Sequence, residues 1–117
     1  MSRTNLSEEN ISEPALKAMQ LFYPETVSEV ANAVLTNKIV VIGMSQNPIV
    51  SKVRKLFNSK NYEYTYLEYG SYFSEWKKRL AIKLWSGWPT YPQVFIEGKL
   101  VGGCKELKEL IEKGKLY

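Results

Sequence analysis

The chain has 117 residues, 44% hydrophobic and 24% charged, with a formal net charge of +4 and a pI of about 9.1. That length holds one core, and the composition is that of an ordinary globular domain, which excludes disorder over the whole length. One cysteine and no histidine exclude an intramolecular disulfide, a zinc site of Cys/His type and any histidine-based general base.

Residues 1–12 are polar and acidic (Glu8, Glu9) and lack periodicity; they are expected to form a flexible arm ahead of a single domain, 13–117. The sequence Met1-Ser2-Arg3-Thr4-Asn5 lacks the apolar stretch of a signal peptide, and no apolar run nears the ~20 residues of a spanning helix. The expected location is the cytoplasm. Ser12-Glu13-Pro14 has the form of a helix start, with Ser12 as N-cap and proline in the first turn. Leu16, Met19, Gln20 and Phe22 follow, and Pro24 interrupts. The spacing of Val27, Val30, Ala31 and Val34 predicts a second helix over 25–36.

Ile39-Val40-Val41-Ile42, ending at Gly43, is a β-branched apolar run and reads as a buried central strand. After the loop 44–47, Asn47 caps a helix whose first turn holds Pro48 and whose apolar positions are Ile49, Val53, Leu56 and Phe57. The aromatic run Tyr62–Glu68 predicts a second strand, with Tyr62, Tyr64 and Tyr66 on one packing face. A helix over 72–84 is predicted to bury Phe73, Trp76, Leu80 and Leu84. The cations Lys77, Lys78, Arg79 and Lys83 then lie largely off that stripe, on a solvated face. Basic residues among aromatics also suit base stacking, but packing accounts for these aromatics, and nucleic acid is not the expected partner.

The loop 87–92 carries two prolines. Gln93–Ile96 and Lys99–Val101 predict a hairpin turning at Glu97-Gly98. A last helix over 104–113 points Leu107, Leu110 and Ile111 inward and stops at Gly114. Strand, helix, strand near the start implies parallel pairing through a right-handed crossover, whereas the hairpin is antiparallel. The expected fold is therefore α/β: a mixed four-stranded, thioredoxin-like sheet flanked by helices, with an extra N-terminal helix.

Trp88-Pro89-Thr90-Tyr91-Pro92-Gln93-Val94-Phe95, followed by Gly98-Lys99-Leu100-Val101-Gly102-Gly103-Cys104, resembles the C-terminal half of glutaredoxins. The likeness extends over about residues 25–117. The Trp-Pro-Thr-Tyr-Pro-Gln form is most similar to the monothiol, iron–sulfur-handling branch. The resemblance implies a cis peptide before Pro92 and main-chain pairing of Tyr91 with the cysteinyl part of glutathione. It implies that Gly102-Gly103-Cys104 holds the γ-glutamyl end, where a helix N-terminus favours a carboxylate. In that turn Lys105 repels the ligand's ammonium and Glu106 attracts it.

At the start of the first core helix the family carries Cys-Pro-Tyr-Cys or Cys-Gly-Phe-Ser. The matching residues are Asn47-Pro48-Ile49-Val50, and the family's preceding lysine is matched by Met44. A carboxamide forms no mixed disulfide and gives no thiolate to a cluster. The expected function is a glutaredoxin-related, non-redox module that binds glutathione or a partner protein through Asn47, Tyr91, Pro92, Gly103, Cys104 and Glu106. No iron–sulfur cluster, metal or membrane is expected. Two alternatives stay open: a weak glutathione-dependent oxidoreductase or transferase using Cys104 or Ser45, and a pure protein-interaction scaffold.

Overall fold

A computed structural model of the chain describes residues 2–114; Met1 of the predicted arm and residues 115–117 of the predicted domain lie outside the described residues. The apolar run Ile39–Gly43 forms β1, and every residue of it is buried. It pairs in parallel with β2 (Thr65–Glu68) and antiparallel with β3 (Gln93–Ile96), which in turn pairs antiparallel with β4 (Lys99–Gly102). The strand order is β2-β1-β3-β4. Two-residue alternation sends Val40 and Ile42 to one face and Ile39 and Val41 to the other.

Each face is closed by a pair of helices. Val30 and Val34 of α2 (Pro24–Thr36) and Ile82 of α4 (Trp76–Ser86) cover Val40, Ile42 and Phe95. Val53 and Phe57 of α3 (Pro48–Ser59) and Leu107 of α5 (Cys104–Glu112) cover Ile39, Val41, Val94 and Ile96. Tyr62, Tyr64 and Tyr66 pack on this second cluster, with the first two rings against Phe57. The mixed sheet with helices on both faces is the predicted architecture. Ahead of it, α1 (Glu13–Gln20) is capped by Ser12, which accepts from the Ala15 N–H at 3.3 Å. Glu8–Asn10 forms one 3-10 turn with no buried residue. Among the described residues no helix is long and apolar enough to cross a membrane.

Three element starts differ from the sequence reading. Pro24 is the first residue of α2 rather than a gap before it, because Tyr23 takes a left-handed conformation and turns the chain there. The second strand starts at Thr65, not Tyr62. The fourth helix starts at Trp76, not Tyr72. Between them Ser71 and Ser74 bind each other's hydroxyls and nearby N–H groups, an alternative that competes with a helical turn.

The larger correction concerns which face of α4 is inside. The predicted core stripe lies outward: Phe73 is 94% exposed, Leu84 70% and Trp76 58%. Arg79, read as part of a solvated face, is buried beside Ala81 and Ile82. Its Nη1 donates to the carbonyls of Tyr69 (2.9 Å) and Ser74 (2.6 Å). Arg79 thus satisfies the main chain of the irregular segment ahead of α4, which has no ladder of its own.

Burial pushes the phenols of Tyr66, Tyr69 and Tyr91 above the usual tyrosine value, and acceptance of the first two protons by Glu68 and Glu29 adds to it. The unfolded chain ionises these groups near pH 10, at about 10.0, while the folded chain still holds them neutral. Stability is therefore full below about pH 10 and falls as pH rises through it towards the folded values. Urea midpoints across the alkaline range should show this loss, and Tyr91→Phe should flatten it. A tyrosinate absorbance titration completed near pH 10 (about the free value) in folded protein would contradict the assignment.

Candidate functional site

Three segments converge beside α5. The loop after α4 brings Trp88, Thr90 and the cis Tyr91–Pro92 peptide. The N-terminal turn of α5 brings Gly103, Cys104, Lys105 and Glu106. The exposed side of α3 brings Ile49 and Lys52. Together they line an open groove of about 740 Å³, a size usual for small-molecule sites.

The loop is held in place from below. Gln93 is completely buried. Its Nε2 donates to the Trp88 carbonyl at 3.0 Å, and its Oε1 accepts from the Ser86 hydroxyl at 2.8 Å. The Ser86 oxygen in turn accepts from the Trp88 N–H at 3.1 Å. A short loop with two prolines cannot pair with a sheet, so one buried carboxamide does that work. Trp88 lies over the Gly102-Gly103 turn. At Gly102, where φ is +118°, a Cβ would sit 2.9 Å from Glu106 Cβ and 3.1 Å from Trp88 Cη2. Glycine is required there by both conformation and space. The Trp88 indole N–H is buried and has no partner among the described residues.

The Tyr91 side chain is turned away from the groove into the core, where its hydroxyl donates to the Arg79 carbonyl at 2.6 Å. What Tyr91 presents to the groove is main chain. Among the described residues no other main-chain group takes its N–H or carbonyl. Glu106 Oε1 accepts from the Gly103 N–H at 3.1 Å, which fixes the entry of α5. Cys104 is half-buried and packs against the Leu107 cluster while still lining the groove.

The groove unites five of the six predicted site residues: Tyr91, Pro92, Gly103, Cys104 and Glu106. Asn47 is not among its lining residues. Its Oδ1 accepts from the N–H groups of Ile49 (2.9 Å) and Val50 (3.1 Å), and the side chain serves as the N-cap of α3. Ser45 is also absent from the lining, and its hydroxyl donates to the Gly70 carbonyl at 3.1 Å. Met44 is buried in the α2/α4 core. Lys52 was missed by the sequence reading. Its signal was spacing: three residues beyond Ile49, it lies on the same side of α3.

A glutaredoxin family model matches residues 39–101, more than half of the chain. The chain belongs to the glutaredoxin family. It is 45% identical over 96 residues to a glutaredoxin-like protein of Dictyostelium discoideum, which spans 82% of this chain and 78% of that one. It is 33% identical over 92 residues to a probable monothiol glutaredoxin 2 of Rickettsia typhi, 74% of this chain and 80% of that one. The chain also matches the longer glutaredoxin-3 of Homo sapiens, of which it spans only 26%. Among solved structures, the crystal structure of a buckwheat glutaredoxin–glutathione complex superposes with a TM-score of 0.71 at 29% identity, over 91% of this chain and 90% of that one. The glutaredoxin fold of the sequence reading is thereby established. The one cysteine of this member stands at Cys104, on α5, and not at the start of α3.

Proposed function

We propose that this glutaredoxin-family chain binds glutathione or a glutathionyl group in the groove between α3, the Tyr91–Pro92 loop and α5, and does so without thiol–disulfide exchange. The observation that carries this reading is the convergence of the Tyr91 main chain, Gly103 and the N-terminus of α5 in one groove, beside an α3 start whose residue 47 is a carboxamide. Extended main chain recognises the cysteinyl part. Free N–H groups at the start of α5 favour a carboxylate. Glu106, partly engaged with Gly103, keeps an anionic oxygen for an ammonium. The cation that the family resemblance places at position 44 is absent, since Met44 is apolar and buried. Lys52 supplies a cation from the other side of α3, and we assign it the glycyl carboxylate.

Ser45 is engaged with Gly70, and Cys104 sits at the edge of the apolar cluster. Both observations weigh against the transferase and oxidoreductase alternatives. In a glutathione titration of isotope-labelled protein, amide shifts are expected at Tyr91, Gly103, Cys104 and Lys52. Lys52→Met should weaken binding about tenfold, the scale of one solvent-screened charge-assisted hydrogen bond. No shifts at millimolar glutathione would overturn the proposal and leave the interaction scaffold.

A further inference from the structure

Trp88 and Glu106 close over the two glycines at the start of α5, one from the loop after α4 and the other from α5 itself. A Cβ at Gly102 would lie 3.1 Å from the Trp88 ring and 2.9 Å from Glu106 Cβ and Cγ. A Cβ at Gly103 would lie 3.5 Å from Glu106 Oε1 and 3.7 Å from Trp88 Nε1. The indole nitrogen and the carboxylate thus border the same small space beside Gly103, and both residues line the groove. Trp88 is pinned by its main chain, through Ser86 and Gln93. Its indole N–H is the only buried side-chain polar group without a partner among the described residues. A buried donor left unpaired carries a free-energy cost.

The acceptor best placed for it is engaged elsewhere. Glu106 Oε1 accepts from the Gly103 N–H at 3.1 Å. Gly103, unlike Gly102, is required by neither conformation nor space. Its backbone is extended, with φ −103° and ψ −158°, and the contacts of an added Cβ would be ordinary van der Waals ones. What the missing side chain keeps open is the way from Glu106 to the indole.

We propose that the Glu106 carboxylate has two seats: the Gly103 N–H in the free chain, and the Trp88 indole N–H once glutathione is bound. Trp88 is then a positioning residue for the γ-glutamyl end. This inference rests on the glutathione reading of the groove. A ligand carboxylate at the first turn of α5 competes with Glu106 for the N–H groups there, and two anions on one set of donors repel. The ligand's ammonium holds one oxygen of Glu106. The indole N–H takes the other, in a charge-assisted bond that the free chain lacks. Binding therefore satisfies a donor that folding leaves unpaired, which favours a ligand that brings both an ammonium and a carboxylate to this turn.

The test follows the indole N–H resonances of Trp76, Trp85 and Trp88 in the isotope-labelled full chain as glutathione is added. The Trp88 resonance, identified by its loss in Trp88→Phe, is expected to move downfield while the other two stay in place. Trp88→Phe should weaken glutathione about tenfold, the scale of one charge-assisted hydrogen bond. In a Glu106→Gln background the same change should cost little more. In melting curves of the free chain the two substitutions should simply add, because the pair is not bonded there. A merely structural Trp88 gives losses that add in binding as well. Amide shifts at Tyr91 and Cys104 with a stationary Trp88 indole would overturn this inference and leave the glutathione site standing, and so would additive losses in binding. No amide shifts at millimolar glutathione would overturn the site and this inference with it.

Discussion

Asn47→Cys is expected to show glutathione-dependent disulfide reduction well above that of the parent chain, for which none is expected. The parent carboxamide already occupies the position a nucleophile needs, accepting from the N–H groups of Ile49 and Val50 at the start of α3. A thiolate placed there accepts from the same donors and lies at the positive end of the helix dipole. An ordinary thiol of pKa about 8.5 is only a few per cent ionised at pH 7, whereas thiols at helix N-termini fall to ~3.5–7.5. The ionised fraction should therefore rise about tenfold or more over that of an ordinary thiol. The thiolate attacks a glutathionyl disulfide, expels the other sulfur as a thiol and leaves a protein–glutathione mixed disulfide. A second glutathione thiolate then attacks the glutathione sulfur, releasing the protein thiolate and oxidised glutathione, so the electrons come from glutathione. Losing the asparagine cap costs about 1 kcal/mol, a small part of the ~5–15 kcal/mol by which native domains are usually stable. The measurement is hydroxyethyl disulfide reduction coupled to glutathione reductase, made also on the double variant with Cys104→Ser to show that Cys104 is not the source. Asn47→Ser, which keeps the cap, should stay inactive. An Asn47→Cys protein that alkylates rapidly at low pH yet does not turn over would show that the nucleophile is sound and the groove does not hold glutathione.

The fold was legible because its main signals are local and strong. Ile39–Ile42 is apolar on both faces, which suits only a central strand. Asn47-Pro48 and Gly103-Cys104 carry the chemistry of helix starts. Glu97-Gly98 joins two short strands, as a hairpin turn requires. The candidate site was legible wherever main chain does the work, at Tyr91, Pro92 and Gly103, because a motif specifies backbone. It was not legible where a side chain chooses between two tasks. Asn47 reads in sequence first as a cap and second as a site residue, and the structure shows its oxygen turned to the N–H groups of Ile49 and Val50. Lys52 carries no motif at all and reaches the groove only because α3 crosses beside α5. Gln93 reads as one polar residue at the end of a strand, and its service to Ser86 and Trp88 depends on a loop folding back over it. On α4 the apolar periodicity was real, but it described a surface. Periodicity reports that one side of a helix is apolar without saying what covers it.

Arg79→Ala is expected to destabilise the chain by about 3 kcal/mol, although a charged residue between lysines on an amphipathic helix ordinarily contributes little. Removal leaves the carbonyls of Tyr69 and Ser74 without the charged donor that now reaches both. Hydrogen bonds to charged groups contribute ~1.5–3 kcal/mol each, and a buried acceptor left unpaired costs a further ~1–3 unless water reaches it. Side-chain rearrangement and water entry bring the sum down to the stated value. For a domain of this size the loss lowers Tm by roughly 10 °C. Arg79→Lys should recover only part of it, since one compact ammonium on a different stem does not reproduce the guanidinium fork. The effect should extend to the groove. The Tyr91 hydroxyl donates to the Arg79 carbonyl at 2.6 Å, so loosening the start of α4 frees a residue that lines the groove. Amide resonances of Tyr91 should broaden in Arg79→Ala at temperatures well below its melting point, and glutathione affinity should fall with them. Tyr91→Phe, which removes only the hydroxyl, should cost about 1 kcal/mol. A change within about 0.5 kcal/mol for Arg79→Ala, the usual range for surface substitutions, would return Arg79 to the solvated face that the sequence pattern alone predicts.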